Sequence, residues 1–356
     1  MDKVKNAVSS LTGAGSKIPT VPLGKNGPQV NRLGLGLMGL SVFYGPKKPD
    51  AERLAFLDAA YERGERFWDT ADMYGDNEDL LGQWFAKNPD KRKDIFLATK
   101  FANKNFPDGS WGIDSSAAYC KQALEKSLKR LGLPYVDLYY CHRLNKDTPV
   151  EETMGALKEA QDAGKIKHIG LSECSSESLR RAYAVAPVAV VQIEYSPFSL
   201  DIEDPTINLL NTCRELGVAI VCYSPLGRGM LSGTIRSPDD FEEGDFRKMA
   251  PRFSAENFPK NLELVDTIAA IAKRKGCSPS QLTLAWMMAQ GQDFFPIPGT
   301  TSVKRLEENV GSVDVKLTEQ EEQEVRRACE NAEVKGSRYP EWASATLFVT
   351  TVPAKV

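Results

Sequence analysis

The chain has 356 residues, of which 42% are hydrophobic and 26% are charged, a composition typical of a globular protein with a large buried core. The net charge of −3 and the absence of a basic run argue against nucleic acid or a membrane surface as a partner. Seven scattered cysteines without a CxxC pair, and only two histidines, argue against a metal site or a disulfide framework and predict reduced thiols in a cytoplasmic protein.

The N-terminal region is polar and leads into a predicted hairpin. Residues 1–16 lack the apolar core of a signal peptide and are predicted to be a flexible tail. No later apolar run is long enough to span a bilayer. Pro19–Val30 is predicted to form a short hairpin with its turn at Lys25-Asn26-Gly27, because Asn-Gly pairs suit tight turns between strands.

Residues 34–39 read GLGLMG and match the GxGxxG dinucleotide-binding fingerprint. The fingerprint binds a pyrophosphate only when a helix begins at its third glycine. The segment after Gly39, Leu40–Pro49, contains a glycine and two prolines and is not expected to be helical. A glycine-rich barrel strand and loop is therefore the preferred interpretation. The alternative is a Rossmann dehydrogenase with Asp69 as its ribose-binding acid.

Strand and helix patterns then alternate. Short apolar strands are predicted at Arg66–Asp69, Ile95–Lys100, Val136–Cys141, Lys167–Ser172, Val188–Ile193, Val218–Tyr223 and Phe294–Ile297. Helices are predicted at Asp50–Arg63, with Asp50 as a candidate N-cap, and at Asn77–Lys87, Ser115–Leu131, Val150–Ala163, Ser176–Ala186, Pro205–Leu216, Leu262–Lys275, Pro279–Ala289 and Val303–Val310. With a first strand at Leu35, these roughly eight strand–helix units predict an α/β fold, a single (β/α)8 TIM barrel over residues 17–332.

Additions to the barrel are predicted at its C-terminal end. Thr318–Asn331 has the pattern of an extra helix. Residues 333–356, which include Trp342 and Phe348, form a tail that is expected to fold over the mouth of the barrel. The long irregular stretch Leu226–Asn261 follows the seventh strand, and loops of this length are usually functional.

Four polar residues end or follow neighbouring predicted strands: Asp69, Tyr74, Lys100 and His142. In a barrel the catalytic groups lie at the carboxyl ends of the strands, so these four are expected at one rim. Each alone has a structural explanation, as a helix cap, a solvated lysine or a packed histidine. Their occurrence at successive strand ends favours an active site. His168 is placed near the amino end of its strand and is assigned a structural role.

The chemistry of the four residues is coherent. A lysine ammonium close to a phenol stabilises the phenolate and lowers the tyrosine pKa from about 10. Asp69 would pair with Lys100 and hold it beside Tyr74. The neutral imidazole of His142 would orient a substrate carbonyl or share the proton relay. Such a site donates a proton to an oxygen while another group delivers a hydride to the adjacent carbon.

The sequence resembles the aldo-keto reductase family from about Leu33 to Asn309. The motifs that carry the resemblance are Asp69-Thr70-Ala71 with Tyr74-Gly75, Thr99-Lys100, Cys141-His142-Arg143, Gly164-Lys165-Ile166, Gly170-Leu171-Ser172-Glu173, Gln192-Ile193-Glu194-Tyr195-Ser196-Pro197, Tyr223-Ser224-Pro225-Leu226-Gly227 and Ile297-Pro298-Gly299-Thr300. The overall pattern, including Phe43-Tyr44-Gly45, is similar to the branch of pyridoxal reductases and related plant, fungal and bacterial aldehyde reductases.

The resemblance implies a role for each site residue. It makes Tyr74 the general acid, Asp69 and Lys100 its tuning pair, and His142 the residue that orients the carbonyl. The residues implied to bind the coenzyme are Tyr223, Ser172 and Gln192 at the nicotinamide, Ser224, Leu226 and Arg228 at the pyrophosphate, and Gly299, Thr301, Ser302, Arg305, Glu308 and Asn309 at the adenosine end. Ser302 and Arg305 would contact the 2′-phosphate, and an arginine fork suits a phosphate, so the implied cofactor is NADPH.

Two positions depart from the family pattern. Many members have Asn where Glu173 stands, at the position that contacts the carboxamide. Many also have Lys where Gly299 stands, which leaves Arg305 and Lys304 with more of the phosphate recognition.

The substrate pocket is predicted from residues in loops after the strands. The candidates are Phe43, Tyr44, Phe101, Trp111, Arg143 and Phe198. An aromatic wall favours a planar or apolar carbonyl compound, although the same aromatics would also serve to pack the loops.

The predicted function is therefore NADPH-dependent reduction of small aldehydes or ketones by a monomer or homo-oligomer. The alternative is an NADPH-binding regulatory subunit of a potassium channel, because such family members keep the four catalytic residues. The sequence shows no evident partner-binding segment.

Overall fold

The structure of the chain is a computed structural model that describes residues 18–106 and 108–354. The predicted N-terminal tail, residues 1–16, lies outside the described residues. The strands are β1 (Thr20–Pro22), β2 (Gln29–Asn31), β3 (Leu35–Gly36), β4 (Phe67–Asp69), β5 (Phe96–Phe101), β6 (Asn103–Asn105), β7 (Trp111–Ile113), β8 (Val136–Cys141), β9 (Ile166–Ser172), β10 (Val190–Glu194), β11 (Ala219–Tyr223) and β12 (Phe294–Pro296).

Eight of these strands form one parallel sheet in the order β3-β4-β5-β8-β9-β10-β11-β12. The two outer strands meet, because the Gly34 amide donates to the Pro296 carbonyl at 2.9 Å and the Gly36 amide donates to the Pro298 carbonyl at 3.2 Å. The predicted (β/α)8 fold is confirmed.

The glycines of the GxGxxG match serve this closure. A Cβ atom on Gly36 would lie 2.8 Å from the Ile297 carbonyl oxygen, and one on Gly34 would lie 2.9 Å from side-chain atoms of both Ile297 and Phe67. Only a short 3-10 turn, Met38–Leu40, follows, so no helix N-terminus is present to hold a pyrophosphate. The Rossmann interpretation is wrong, and the glycines allow close contact between the first and last strands.

The helices are α1 (Asp50–Glu62), α2 (Asn77–Lys87), α3 (Ala117–Leu131), α4 (Val150–Asp162), α5 (Ser176–Val185), α6 (Leu209–Leu216), α7 (Phe258–Lys275), α8 (Pro279–Ala289), α9 (Val303–Val310), α10 (Glu319–Asn331) and α11 (Glu341–Ser344). The expected helices are all present. Asp50 is the first helical residue of α1 rather than its cap, and its carboxylate pairs with Arg53 at 2.6 Å. Helix α6 is shorter than predicted because Asn208 has a left-handed backbone.

The hydrophobic core has two layers that the strand alternation separates. Inward-facing residues such as Phe67 and Phe295 fill the barrel, and the N-terminal hairpin contributes Leu23 and Val30 to this inner cluster. Outward-facing residues pack against the helices. Phe101 belongs to this outer layer: it is the last residue of β5, is fully buried and stacks on Tyr139 with ring centroids 5.2 Å apart.

Three segments lie at the carboxyl ends of the strands, and only the first of them was not predicted from the sequence. Strands β6 and β7 form an antiparallel hairpin after β5. The stretch between β11 and α7 contains several short 3-10 turns. The C-terminal tail includes α11 and reaches Glu173, because the Val349 amide donates to the Glu173 carbonyl at 3.0 Å. The tail thus lies across the mouth of the barrel, as expected.

Within residues 18–106 and 108–354, no helix has the length and apolar character needed to cross a membrane. The same residues contain no cluster of three or more His, Cys, Asp or Glu side chains arranged to hold a metal ion. All seven cysteines lie in this part of the chain and are unpaired, and six of them are buried.

Candidate active site

The four predicted catalytic residues come together at the mouth of the barrel. Asp69 ends β4 and Lys100 is the penultimate residue of the neighbouring strand β5. His142 directly follows β8, the next strand of the sheet. Tyr74 follows a tight turn in which its amide donates to the Ala71 carbonyl at 3.2 Å. The turn after β4 therefore directs the tyrosine towards residues of two other strands.

Asp69 and Lys100 form a buried ion pair. The Lys100 ammonium donates to Asp69 Oδ1 and, at 2.8 Å, to the Thr70 carbonyl. The Gln192 amide donates to Asp69 Oδ2 at 2.8 Å. Burial raises the pKa of Asp69 and lowers that of Lys100, and each charge opposes the shift of the other. The pair keeps its geometry because both partners are satisfied by hydrogen bonds.

Tyr74 lies next to this pair. Its ring centroid is 5.1 Å from Lys100 Nζ and 5.9 Å from the centroid of the His142 ring, which stands nearly perpendicular to it. Burial, followed by the Asp69 charge, raises the pKa of Tyr74 well above its ordinary value, and Arg143 opposes the shift. Burial of Tyr74 thus opposes the lowering of its pKa that is expected from Lys100.

His142 is a neutral imidazole at physiological pH. Its side chain is buried, and burial, with Lys100 and Arg143 adding to the effect, lowers its pKa well below 6.5. The buried Nδ1 atom has no hydrogen-bond partner among the described residues. A neutral, unsatisfied imidazole is suited to hydrogen-bond an uncharged carbonyl group.

The residues predicted at the nicotinamide lie on three adjacent strands. Ser172 ends β9 and accepts a hydrogen bond from Arg143 at 3.2 Å. Gln192 is on β10, and its amide nitrogen donates a hydrogen bond to Asp69. Tyr223 ends β11, and its hydroxyl donates to Glu173 at 2.6 Å. Gln192 therefore contacts a predicted catalytic residue directly, whereas Ser172 is held by Arg143 and Tyr223 by Glu173.

Arg228 is buried in the loop after β11, with Ser224 and Leu226 half-buried before it. Its Nη2 atom is 3.1 Å from a Glu194 carboxylate oxygen, whereas its Nη1 atom is buried without a hydrogen-bond partner among the described residues. Its guanidinium also lies 4.4 Å from the centroid of the Tyr339 ring. The residue thus carries a buried cation with unused hydrogen-bonding capacity.

The segment predicted at the adenosine end begins next to the barrel closure, where Gly299 pairs with Gly36. It contains the other predicted contacts in and before α9: Thr301, Ser302, Arg305, Glu308 and Asn309. Ser302 caps α9, since its hydroxyl accepts from the Arg305 amide at 3.5 Å. Arg305 is exposed and makes no ion pair with a described residue. A cation in the first helical turn opposes the helix dipole, so the charge of Arg305 does not stabilise α9.

The predicted substrate residues do not all lie at the mouth of the barrel. Phe43 and Tyr44 lie in the loop after β3, and Arg143 follows β8, so these three lie at the mouth. Trp111 is on β7, is 40% exposed and packs edge-on against Trp342, with centroids 5.4 Å apart. Phe101 does not reach the mouth, because its position in β5 directs it to the outer core. The buried ring of Phe198 packs under Arg252.

Sequence reasoning missed the part of the C-terminal tail that contacts the site. Arg338 forms a bidentate ion pair with Glu173 at 2.9 and 3.2 Å, and the Tyr339 hydroxyl is 3.2 Å from that of Tyr223. No local motif marks these two residues. The only sequence signal is the unusual glutamate at position 173, which requires a cation when it is buried.

Asp72 lies in the turn between Asp69 and Tyr74. Burial, together with the charge of Glu78, raises its pKa from 3.8 to about 7, and its Oδ1 atom is buried without a partner among the described residues. Between these two pH values the folded protein holds a proton that the unfolded chain releases. The stability of the fold therefore decreases as the pH rises through this interval.

Replacing Asp72 by Asn is expected to remove this decrease in the stability of the fold at higher pH. The variant should exceed the wild type in free energy of unfolding by on the order of 2 kcal/mol at about pH 8, allowing for partial exposure, and the difference should shrink towards about pH 4. Denaturant unfolding at several pH values measures it, with the exposed-site variant Asp90→Asn as control. A gain that is independent of pH would show that titration of Asp72 is not its cause.

Comparisons with known proteins agree with this geometry. The sequence profile described as the Aldo/keto reductase family matches residues 32–330. The NADP(+) aldo-keto reductase yakc of Schizosaccharomyces pombe (strain 972 / ATCC 24843) is 52% identical over 339 residues, which are 94% of this chain and 98% of that protein. Aldo-keto reductase str7 of Strobilurus tenacellus is 50% identical over 326 residues, 90% of this chain and 95% of that protein.

A solved structure is also similar. The crystal structure of the thermostable aldo-keto reductase Tm1743 with the inhibitor epalrestat has a TM-score of 0.70 and 28% sequence identity, and the match covers 87% of this chain and 99% of that one.

The fold and the site define a (β/α)8-barrel enzyme with its polar residues at the carboxyl ends of the strands. The chain belongs to the aldo/keto reductase family and is an oxidoreductase. The relatives described above are named as reductases, which does not support the alternative of a channel-regulating subunit.

Proposed function

We propose that this protein reduces aldehydes and ketones to alcohols with NADPH, and that Tyr74 donates the proton. The observation that carries the proposal is the buried ion pair of Asp69 and Lys100 beside Tyr74. The neutral imidazole of His142 completes the group. The name of the Schizosaccharomyces pombe relative, which specifies NADP(+), supports the choice of coenzyme.

Two features of the mouth fit NADPH. The buried Nη1 atom of Arg228 lacks a partner among the described residues and suits a phosphate oxygen of the pyrophosphate. The exposed guanidinium of Arg305 at the start of α9 suits the 2′-phosphate. Tyr223, at the end of β11, would hold the nicotinamide ring. NADPH supplies the hydride when it is bound.

The side chains of this chain would then act on the carbonyl oxygen. His142 would donate a hydrogen bond to it and fix its position. Tyr74 would transfer its proton to the same oxygen, and burial keeps that proton in place at neutral pH because it raises the tyrosine pKa. Lys100 would stabilise the tyrosinate that remains, and Asp69 would hold Lys100 in place. Burial of all four groups keeps water away from the reaction.

The residues around the mouth favour aromatic or apolar aldehydes. Trp111 and Trp342 are both exposed large apolar side chains, and they pack against each other at the rim. Phe43, Phe246 and Tyr339 form a second aromatic group, with successive ring centroids about 6 Å apart. Flat aromatic carbonyl compounds are therefore the first substrates to test.

A screen of carbonyl compounds against NADPH oxidation by the purified protein tests the proposal. Aromatic aldehydes should give the highest kcat/KM, and aliphatic aldehydes and ketones of similar size serve as comparison substrates. Tight NADPH binding without turnover of any carbonyl compound would contradict the proposed reaction.

Replacing Arg305 by Ala is expected to weaken NADPH binding and to leave NADH binding nearly unchanged. Charge-assisted hydrogen bonds contribute about 1.5–3 kcal/mol each, so the dissociation constant for NADPH should rise roughly ten- to a hundredfold. Fluorescence titration with both coenzymes measures this. The exposed Arg327 on α10 provides a matched control as Arg327→Ala. Equal weakening of NADPH and NADH would show that Arg305 supports the fold instead of recognising the phosphate.

A further inference from the structure

The C-terminal tail is attached to the same strand ends that carry the predicted coenzyme residues. The Val349 amide donates to the Glu173 carbonyl, and the Val349 carbonyl accepts from the Ser175 amide, both at 3.0 Å. Farther along, the Val352 amide donates to the Lys146 carbonyl at 2.8 Å. The tail therefore adds a short bridge beside the end of β9 instead of lying loosely over the barrel.

Arg338 anchors the part of the tail that lies over the centre of the mouth. Its guanidinium donates through both terminal nitrogens to the two carboxylate oxygens of Glu173, at 2.9 and 3.2 Å. Its Nη1 atom is also 3.6 Å from a Glu194 oxygen. All three side chains are buried, with exposures of 6%, 0% and 2%. A buried bidentate pair of this kind fixes the relative position of its two segments because breaking it leaves an unpaired charge.

The pair also fixes Tyr223, the residue that the proposed function places against the nicotinamide. The Tyr223 hydroxyl donates to Glu173 Oε1 at 2.6 Å and accepts from Arg338 Nη1 at 3.3 Å. The Tyr339 hydroxyl is a third neighbour at 3.2 Å. Two of the three groups that hold this hydroxyl thus come from the C-terminal tail.

The backbone conformation of Glu173 also indicates a functional position. Glu173 has a φ of +51°, a left-handed conformation that is unfavourable for a residue with a side chain. Such strain persists only where the surroundings fix it, and it concentrates at functional sites. The strained conformation at the end of β9 brings the glutamate to Tyr223 and Arg338.

We propose that Arg338 is a positioning residue of the coenzyme site: through Glu173 it holds Tyr223 in place and couples docking of the C-terminal tail to binding of the nicotinamide end of NADPH. The inference rests on the proposed function, since it takes Tyr223 as the nicotinamide platform. By thermodynamic linkage, bound NADPH must then also stabilise the docked tail.

The test compares the binding of NADPH with the binding of a coenzyme fragment that lacks the nicotinamide. The probes are NADPH and adenosine 2′,5′-bisphosphate, which carries the adenosine end and the 2′-phosphate but no nicotinamide. Arg338→Gln is expected to raise the dissociation constant of NADPH roughly tenfold or more and to leave that of the bisphosphate unchanged within about twofold. Arg338→Lys, which keeps the charge but loses the bidentate contact, should lie between wild type and Arg338→Gln.

A matched variant controls for the loss of a buried ion pair. Arg92 is buried and contacts Asp137 at 2.7 Å. Asp137 is near the amino end of β8, and this end of the strand is opposite the mouth of the barrel. Arg92→Gln should destabilise the fold without changing the ratio of the two dissociation constants. If Arg338→Gln weakens both probes equally, or if Arg92→Gln has the same effect as Arg338→Gln, the inference is overturned. Should Arg338→Gln fail to fold, wild-type NADPH affinity in Arg338→Lys would overturn it.

Amide hydrogen exchange at Val349 provides a second measurement. NADPH should slow this exchange in the wild type and have a much smaller effect in Arg338→Gln, because the coupling passes through Arg338. Equal slowing in both proteins would overturn the inference. Failure of the proposed function is recognised separately, as absence of NADPH binding or of carbonyl turnover in the wild type.

Discussion

Replacing Tyr74 by Phe is expected to lower kcat for carbonyl reduction by about 10²–10⁴, the scale of a lost general acid. The change removes only the hydroxyl oxygen from a buried ring beside Lys100 and His142. These two neighbours are unsuited to replace Tyr74 as the acid, because His142 is neutral and Lys100 is engaged with Asp69 and Thr70. Steady-state kinetics with an aromatic aldehyde measures the loss.

The affinity for NADPH should stay close to that of the wild type in this variant, since the hydroxyl acts in the chemical step. Tyr139→Phe is a matched control: the Tyr139 hydroxyl is also buried, but it lies in the outer core against Phe101. The control should retain its turnover. A Tyr74→Phe variant within a factor of a few of the wild type would show that the proton comes from another group.

Replacing Lys100 by Met is expected both to destabilise the fold and to shift the pH dependence of the reaction. Removing one partner of a buried ion pair costs about 3–5 kcal/mol, because the Asp69 charge is left without its counterion. The change also removes a cation 5.1 Å from the centroid of the Tyr74 ring. The pKa of Tyr74, which burial already raises, should therefore rise further.

The shift is best measured in the direction of alcohol oxidation. There the tyrosinate accepts the proton, so the rate increases as the pH rises through the pKa of Tyr74. In Lys100→Met this rising limb of the pH–rate profile should move to higher pH, and the rate at neutral pH should fall. Adding Asp69→Asn to Lys100→Met removes the unpaired charge and should recover stability. Because the Asp69 charge also raises the pKa of Tyr74, the limb should move part of the way back towards lower pH in the double variant. An unshifted limb in the single variant would show that Lys100 does not act on Tyr74.

The sequence determined the architecture and predicted the four polar residues that the structure brings together at the mouth of the barrel. The alternation of strands and helices predicted the barrel because a parallel strand in such a fold is apolar on both faces and each helix has one apolar face. The rule that strand carboxyl ends meet at one rim then placed Asp69, Lys100 and His142 together, although they lie far apart in the chain. These features depend on local patterns, which a single sequence contains.

The tertiary structure decided the features that depend on distant segments or on burial. Phe101 and its neighbour Lys100 face opposite sides of the sheet, and only the packed barrel shows which side is the outer core. The pKa of Tyr74 depends on how completely the turn after β4 is buried. The contact of Arg338 with Glu173 joins residues 165 positions apart, and no periodicity in the chain encodes it. Burial and long-range pairing arise from the folded arrangement of all segments together. This is the physical reason that the tail was expected over the mouth from the sequence, whereas the contacts of Arg338 and Tyr339 with the site were recognised only in the structure.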